Sequence, residues 1–272
     1  MTPVNYNGFS LDLQANKELS YYEQSKLAIL EQPFKTSYDE TIFQIPLDEW
    51  GSYHEKQRDN LLSNQNIKHL KISDIEKSAL ATRSLKRSDG KTCQLIVTPS
   101  SVSPIEVDAV VNAANETLLG GGGVDGEIHG ASGYQLLREC AQLNGCDVGK
   151  AVLTKGYYLP AHYVIHTVGP LLKDGTTPDQ ESLKECYLSC LKICEEKKFH
   201  SVVFPCVACG FYGFPIDLAA DIVLETVQTY IERHSHSLQT VIFSVPREDE
   251  KKAYQKYLTL KNQNLSFQEK IQ

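Results

Sequence analysis

The sequence lacks any long apolar run and any excess of positive charge. No stretch approaches the roughly 18 consecutive apolar residues that a membrane-spanning helix requires, so we expect no membrane segment. The amino terminus lacks a charged start followed by an apolar stretch, so we expect no secretory signal. With 34 acidic against 27 basic side chains and a net charge of −7, the composition argues against binding nucleic acid by bulk electrostatics.

The sequence also lacks internal repeats and low-complexity tracts. Its eight cysteines, in a chain of 272 residues without an export signal, are typical of free intracellular thiols. At roughly 150 residues per domain, this length fits one large domain or one domain with an extension. We therefore expect a globular monomer located in the cytoplasm, with the nucleus as the alternative location.

Residues 1–90 differ from the rest of the chain. They are polar, contain no cysteine, and show helical spacing of apolar residues at Leu11–Leu30, Leu47–Tyr53 and Leu70–Leu80, with a polar run at Arg58–Asn66. The segment Arg83–Lys91 is charged and contains an Asp-Gly pair, which is typical of a linker. We predict a mainly helical extension over residues 1–90 and a second domain over residues 91–272.

From about Thr92 onward, short β-rich runs alternate with longer amphipathic runs. Strands are predicted at Cys93–Thr98, Val107–Val111, Tyr163–Thr167, Ser201–Pro205 and Thr240–Val245. Helices are predicted at Ser132–Asn144, Glu181–Lys197 and Ile216–Arg233. This alternation predicts βαβ units in a three-layer α/β/α sandwich, where ligands bind at the carboxyl ends of the strands.

The first candidate loop is Val110–Gly133, VVNAANETLLGGGGVDGEIHGASG. Its four consecutive glycines precede a predicted helix, and glycine amides can approach an anion closely at a helix N-terminus. Asp125 and His129 are four residues apart and would share one face of that helix. Glycine content alone leaves two interpretations open, a phosphate-binding loop or a flexible turn in which Asp125 caps the helix.

The second candidate loop is Val203–Pro215, VFPCVACGFYGFP, which follows another predicted strand. Its small residues and aromatic rings could cover a diphosphate and stack on a sugar. A Gly-Pro turn with core aromatics is an equally good interpretation of this segment alone.

Together, these loops resemble the macrodomain family, and within it the MacroD-type ADP-ribosylhydrolases. The matching stretches are VDAVVNAANETLLGGGGVDGEIH, KGYYLPAHYVIHTVGP, CYLSCLKICEE and VVFPCVACGFYGFP, so the resemblance covers about Thr92 to Leu260. It implies a three-layer α/β/α macrodomain sandwich with a mixed central sheet. It also implies a hydrolase that removes mono-ADP-ribose from Asp or Glu side chains of modified proteins and deacetylates O-acetyl-ADP-ribose.

The resemblance assigns roles to individual residues. It implies that Asn115 contacts the distal ribose, that Asp125 positions or activates a water beside the diphosphate, and that His129 supports the site. The further ligand contacts that it implies are Asn112, Ala113, Gly121, Gly122, Gly123 and Val124 in the first loop and Cys209, Gly210, Phe211 and Tyr212 in the second. It implies no cofactor. A binding module that holds ADP-ribose without hydrolysing it is the alternative, and Asp125 favours the enzyme.

The sequence departs from the family pattern at the adenine end of the predicted site. Ser101 stands where many members have an Asp for the adenine amino group, and Pro246 stands where relatives have an aromatic residue. Arg247 could stack on the base instead. In the second loop, Ala208 and Cys209 replace the usual hydroxyl residues, so phosphate binding would depend on backbone amides. An altered adenine end could also redirect the site to another ADP-ribosyl ligand or to one linked to nucleic acid.

Cysteine spacing offers a second kind of site, which we consider the weaker interpretation. Cys206 and Cys209 form a Cys-x-x-Cys, a pattern found in zinc and redox sites, but no second such pair is present. The four-residue spacing of Cys186, Cys190 and Cys194 is interpreted as a buried helix face. We therefore expect no bound metal, and we interpret His166 as a structural histidine.

Overall fold

A mixed seven-stranded sheet forms the centre of the protein, whose computed structural model describes residues 20–63, 69–173 and 176–256. The helices are α1 Tyr21–Glu31, α2 Ser37–Gln44, α3 Leu47–Ser63, α4 Ile72–Lys77, α5 Gly123–Ser132, α6 Tyr134–Gln142, α7 Gln180–Glu196 and α8 Ile216–His234, and residues 248–256 are also helical. The strands are β1 Ala81–Lys86, β2 Thr92–Thr98, β3 Ala109–Ala114, β4 Ala151–Lys155, β5 Tyr163–Val168, β6 Ser201–Phe204 and β7 Thr240–Ser244.

The sheet has the strand order β1-β2-β7-β6-β3-β5-β4. The five inner strands are parallel, and β1 and β4 pair antiparallel at the two edges. Strands β5 and β6 are buried along their whole length because helices cover the sheet. Helices α5 and α6 pack on β3 and β4, whereas α7 and α8 pack on each other and on β5 and β1. The predicted three-layer sandwich with a mixed sheet is confirmed.

The predicted elements of the C-terminal part are all present, with ends shifted by at most three residues. Strand β4 escaped prediction because its five residues, AVLTK, are short and alternate weakly between apolar and polar. The cysteines of α7 lie on its inner face, where Cys186, Cys190 and Cys194 are fully buried, so their interpretation as core residues is confirmed.

The interpretation of Arg83–Lys91 as a linker is wrong. Residues 81–86 form β1, which pairs with β2 along its whole length, and Asp89 and Gly90 belong to the hairpin turn between the two strands. Gly90 has a φ of +82°, and the amide of Arg87 donates to the carbonyl of Lys91 at 2.8 Å. The sheet thus begins ahead of the boundary predicted at residue 90, because β1 is an edge strand with few apolar residues.

The described residues ahead of the sheet, 20–63 and 69–80, form the four helices α1 to α4. Helix α1 begins with a capping box, in which Ser20 and Glu23 satisfy each other's backbone amides. Residues 11–19 of the first predicted helical pattern, and residues 64–66 of the predicted polar run, lie outside the described residues.

Two buried side chains fix these helices to the sheet. The indole of Trp50 on α3 is fully buried, donates to the carbonyl of His162 at 2.6 Å and packs on the ring of Tyr157. The ammonium of Lys155 on β4 donates to the carbonyls of Phe43 and Ile45 at 2.6 and 2.8 Å, at the carboxyl end of α2. A cation is stabilised there by the helix dipole. The N-terminal helices are therefore part of the same folded unit as the sheet.

Substituting Trp50→Ala should lower the free energy of unfolding by about 3–5 kcal/mol, since it leaves a cavity between α3 and the sheet and removes a buried hydrogen bond. Chemical denaturation of the full chain measures this change. Tyr21→Ala is the control, because Tyr21 is 87% exposed and should change stability little. Equal stability of the two variants would contradict the packing of α3 on the sheet.

Candidate functional site

A cleft of about 680 Å³ lies at the carboxyl edge of the parallel strands. Each inner strand contributes the segment that follows it: Ser101 after β2, Pro246 after β7, Cys206 after β6, Asn115 after β3 and Gly169 after β5. The carboxyl ends of parallel strands meet at one edge of a sheet, so loops distant in sequence become neighbours. The two predicted loops therefore line one cleft.

The first loop depends on close approach between its backbone and the side chain of Asp125. A Cβ atom on Gly121 would lie 2.9 Å from Oδ2 of Asp125 and 3.5 Å from Nδ2 of Asn115. Gly120 and Gly123 have φ values of +85° and +61°, which favour glycine. Helix α5 begins at Gly123, with Gly122 as its N-cap, so the interpretation of Asp125 as the cap residue is wrong.

Asp125 is a buried carboxylate at the first turn of α5, only 4% exposed. One oxygen, Oδ1, accepts a hydrogen bond from Nδ2 of Asn112 at 2.7 Å and lies 3.5 Å from Nε2 of His129. Burial raises the pKa of Asp125, while the Asn112 hydrogen bond and nearby His129 act to lower it. Burial lowers the pKa of His129, so this imidazole is neutral at pH 7. The site therefore holds a carboxyl group whose pKa is moved towards neutrality.

Behind Asp125, a chain of buried polar groups extends across the sheet. Nδ2 of Asn112 also contacts Nδ1 of His166 at 3.1 Å, and Nε2 of His166 contacts Oγ1 of Thr154 at 2.9 Å. All three side chains have no exposed surface. Burial lowers the pKa of His166 to about 3, so its ring is neutral. His166 was predicted to be structural. Its contact with Asn112, which donates to Asp125, was not predicted.

Asn115 lines the cleft and also shapes the first loop. Its Nδ2 donates to the carbonyl of Gly120 at 2.9 Å, and its Oδ1 accepts from the amide and the hydroxyl of Thr117 at 3.0 and 2.6 Å. These bonds tie the end of β3 to the glycine run.

The second loop contributes backbone and two aromatic rings to the cleft. Ala208 has a φ of +64°, which is unusual for a residue with a Cβ, and its carbonyl accepts from the amide of Phe214 at 3.0 Å. Phe211 is 96% exposed at the rim, and Tyr212 is half-buried. Burial raises the pKa of Tyr212, and the negative charges of Glu116 and Asp125 add to this shift.

The predicted adenine end belongs to the same cleft. Ser101, Pro246 and Arg247 all line it. The guanidinium of Arg247 donates to the carbonyl of Cys209 at 3.1 Å and pairs with Asp249 at 3.1 Å and Glu250 at 3.4 Å. Arg247 therefore joins the segment after β7 to the second loop.

Most of the predicted site residues lie together on the cleft wall. These are Ser101, Ala113, Asn115, Gly121, Gly122, Gly123, Val124, Asp125, Gly210, Phe211, Tyr212, Pro246 and Arg247. The side chains of Asn112, His129 and Cys209 lie behind it, with Cys209 5% exposed and Asn112 fully buried. Sequence reasoning missed Glu127, Gly169 and Glu250, which also line the cleft. Gly169 follows a predicted strand and could have been found from that position; the two glutamates carry no comparable signal.

One group in the described part of the chain has the donor atoms of a metal site. His129, Cys140 and His166 each offer one ligand atom, and these atoms lie within 4.8 Å of one another. Both ring nitrogens of His166 already have partners, Asn112 and Thr154, so coordination would break one of these hydrogen bonds. In the Cys-x-x-Cys, Sγ of Cys206 accepts from the hydroxyl of Tyr254 at 3.7 Å, and Sγ of Cys209 donates to the carbonyl of Val207 at 3.4 Å. Both thiols therefore have hydrogen-bond partners within the protein.

The helices give no indication of a membrane anchor. In residues 20–63, 69–173 and 176–256, none is both long and apolar enough to cross a bilayer.

Comparison with known proteins identifies the class to which this fold and cleft belong. The family model of the Macro domain matches residues 111–223. A macro domain-containing protein of Chlorobaculum tepidum, CT2219, is 43% identical over 159 residues, which are 58% of this chain and 92% of that protein. The crystal structure of a Trypanosoma brucei macrodomain in complex with ADP-ribose superposes with a TM-score of 0.72 at 33% identity, covering 86% of this chain and 95% of that one. The chain belongs to the macrodomain family.

Within this family, the similarity is to MacroD-type members. The human protein named ADP-ribose glycohydrolase MACROD2 is 39% identical over 244 residues, or 89% of this chain. The match covers 54% of the human protein, so this chain spans about half the length of that relative. The predicted resemblance to MacroD-type macrodomains is confirmed.

Asp125→Asn should stabilise the fold at pH 7, by about 1 kcal/mol. The pKa of Asp125 is raised on folding, so the folded state loses stability as pH rises above 3.8, the ordinary value for this side chain. An Asn at this position keeps the acceptor for Asn112 without a buried charge. Chemical denaturation measures the difference, which should vanish as pH falls towards 3.8. The exposed Asp221 on α8 provides the control: Asp221→Asn removes the same charge at a solvent-facing position and should change the free energy of unfolding little at pH 7.

Proposed function

We propose that this protein is an ADP-ribosylhydrolase that removes mono-ADP-ribose from Asp or Glu side chains of modified proteins. The single observation that carries the proposal is Asp125, a buried carboxyl group at the wall of a cleft whose adjacent loop is built of glycine. The naming of the human relative as an ADP-ribose glycohydrolase and the ADP-ribose bound to the trypanosomal macrodomain support this assignment.

The first loop suits the diphosphate of ADP-ribose. Gly121, Gly122 and Gly123 line the cleft at the start of α5, where the first amides of a helix have no intrahelical acceptor. Such amides, together with the helix dipole, bind phosphate groups without a basic side chain. This agrees with the net charge of −7, since a diphosphate held by amides does not require a cationic surface.

Asp125 provides the chemistry in this proposal. Its raised pKa lets the carboxylate accept a proton from water near neutral pH. The water attacks C1″ of the distal ribose or the ester carbonyl and its proton passes to Asp125. The ester C–O bond at the attacked carbon breaks, which releases ADP-ribose and the free Asp or Glu side chain, and Asp125 then gives up the proton. O-acetyl-ADP-ribose carries the same kind of ester next to the same diphosphate, and we propose it as a second substrate.

The alternative is a module that binds ADP-ribose without hydrolysis. Asn115 uses its side chain to hold the loop, and Phe211 and Tyr212 could cover a sugar, so the cleft could bind without reacting. A binding module has no need for a carboxylate beside a dianion, which favours the enzyme.

Asp125→Ala should lower the rate of ADP-ribose release from a glutamate-modified protein at least 100-fold, the range typical of removing a general base. ADP-ribose binding, measured by calorimetry, should persist because the glycine amides remain. Binding by the unsubstituted protein without release would establish the binding module instead. Release by the unsubstituted protein should also survive a metal chelator; loss of release would point to a metal-dependent reaction.

Gly121→Ala should weaken ADP-ribose binding at least tenfold, because the new Cβ would meet Oδ2 of Asp125 at 2.9 Å and force the loop to shift. Gly130→Ala is the matched control: its Cβ would have no neighbour within 4 Å, and this residue lies on α5 but does not line the cleft. Calorimetry compares the two dissociation constants. Equal loss in both variants would contradict the requirement for close packing at Gly121.

A further inference from the structure

Thr154 and His166 form a buried hydrogen-bond chain that reaches the carboxyl group of Asp125 through Asn112. The distances along the chain are 2.9 Å from Thr154 Oγ1 to His166 Nε2, 3.1 Å from His166 Nδ1 to Asn112 Nδ2, and 2.7 Å from Asn112 Nδ2 to Asp125 Oδ1. The four residues come from β4, β5, β3 and α5, so the chain crosses three neighbouring strands before it meets the helix.

The contacts of Thr154 and Asn112 favour one direction for the hydrogen bonds of His166, whose ring nitrogens each donate or accept according to the tautomer. The hydroxyl of Thr154 donates to the carbonyl of Lys155 at 3.3 Å, so its oxygen is left to accept from Nε2 of His166. A neutral imidazole with its proton on Nε2 has an acceptor at Nδ1. That acceptor takes one N–H of Asn112, and the other N–H of the same amide goes to Asp125.

The opposite orientation of the Asn112 amide would place its oxygen against the carboxylate of Asp125. Two acceptors at hydrogen-bond distance repel, and Asp125 would then ionise less readily. The proton position on His166 thus decides which atom of Asn112 faces Asp125. Oδ1 of Asn112 has no protein partner, so no other hydrogen bond from the described residues holds the amide in place.

We propose that His166 and Thr154 are positioning residues for Asp125: they fix the amide of Asn112 so that it donates to the carboxylate and keeps it ionised. The proposal rests on the proposed function for its catalytic consequence, but not for the geometry that it describes. His129, Cys140 and Tyr212 are the other titratable groups around this carboxyl group, from α5, α6 and the second loop. None of them contacts Asn112 through a hydrogen bond given by the structure.

The test uses Thr154→Val, which removes the hydroxyl and keeps nearly the same volume, and Thr154→Ser, which keeps the hydroxyl. Thr226→Val is the matched control, because Thr226 is 7% exposed, donates to the carbonyl of Ile222 at 2.7 Å on α8, and does not line the cleft. NMR on the full chain follows the titration of the Asp125 carboxyl carbon and the protonation of the two ring nitrogens of His166. The variants Asp125→Asn and His166→Asn assign these signals.

In the unsubstituted protein the ring of His166 should carry its proton on Nε2. Thr154→Val should raise the titration midpoint of Asp125 by about one pH unit, while Thr154→Ser and Thr226→Val leave it unchanged. In the pH profile of kcat for ADP-ribose release, the acid limb of Thr154→Val should shift upward by the same amount. At pH values below the midpoint, kcat of this variant should therefore be about tenfold lower than that of the unsubstituted protein, while KM stays within about twofold.

A proton on Nδ1 of His166 in the unsubstituted protein would overturn the proposal. So would an Asp125 midpoint that responds equally to Thr154→Val and Thr226→Val. Both readouts are independent of turnover, so a protein that releases no ADP-ribose would refute the proposed function while the NMR measurements still decide the role of His166 and Thr154.

Discussion

The structure depends on a buried carboxylate held within contact distance of a glycine backbone. Asp125 has almost no exposed surface, and the position of Gly121 beside it leaves no room for a Cβ atom. Removing a carboxylate from water is unfavourable unless hydrogen bonds replace the lost hydration. Asn112 supplies one such bond, and burial still raises the pKa of the acid. The glycine run, the buried asparagine and the first turn of α5 are therefore parts of one arrangement.

The sequence predicted the parts of the fold that have strong local patterns. The inner strands and the helices α6, α7 and α8 were located because their apolar residues repeat with the period of each element. The edge strands β1 and β4 were missed because they are short and their residues are mixed in polarity. For β1 the Asp-Gly pair was recognised as a turn signal, but it marks a hairpin within the sheet and not a connection between domains.

The prediction of the candidate site was most complete in the two glycine-rich segments. In the rest of the chain it missed residues that line the cleft. Asn115, Asp125 and Tyr212 could be named because a short motif places each of them. Glu127 and Glu250 could not, since a glutamate on an amphipathic helix has the same appearance whether it faces solvent or a cleft. The contact of His166 with Asn112 arises from the parallel pairing of β3 and β5, in which Asn112 and His166 are register partners. Only the order of strands in the sheet reveals it.

The two edges of the sheet are closed to further strands in different ways. An exposed edge presents unpaired amides and carbonyls to which another molecule can add a strand, which is a common start of aggregation. Helix α3 packs against β4 at one edge, and Lys155 of that strand is bound to the carboxyl end of α2. At the other edge, β1 carries the exposed Lys86, whose charge opposes pairing with a further strand. The N-terminal helices thus shield one edge of the sheet from strand addition as well as packing against it.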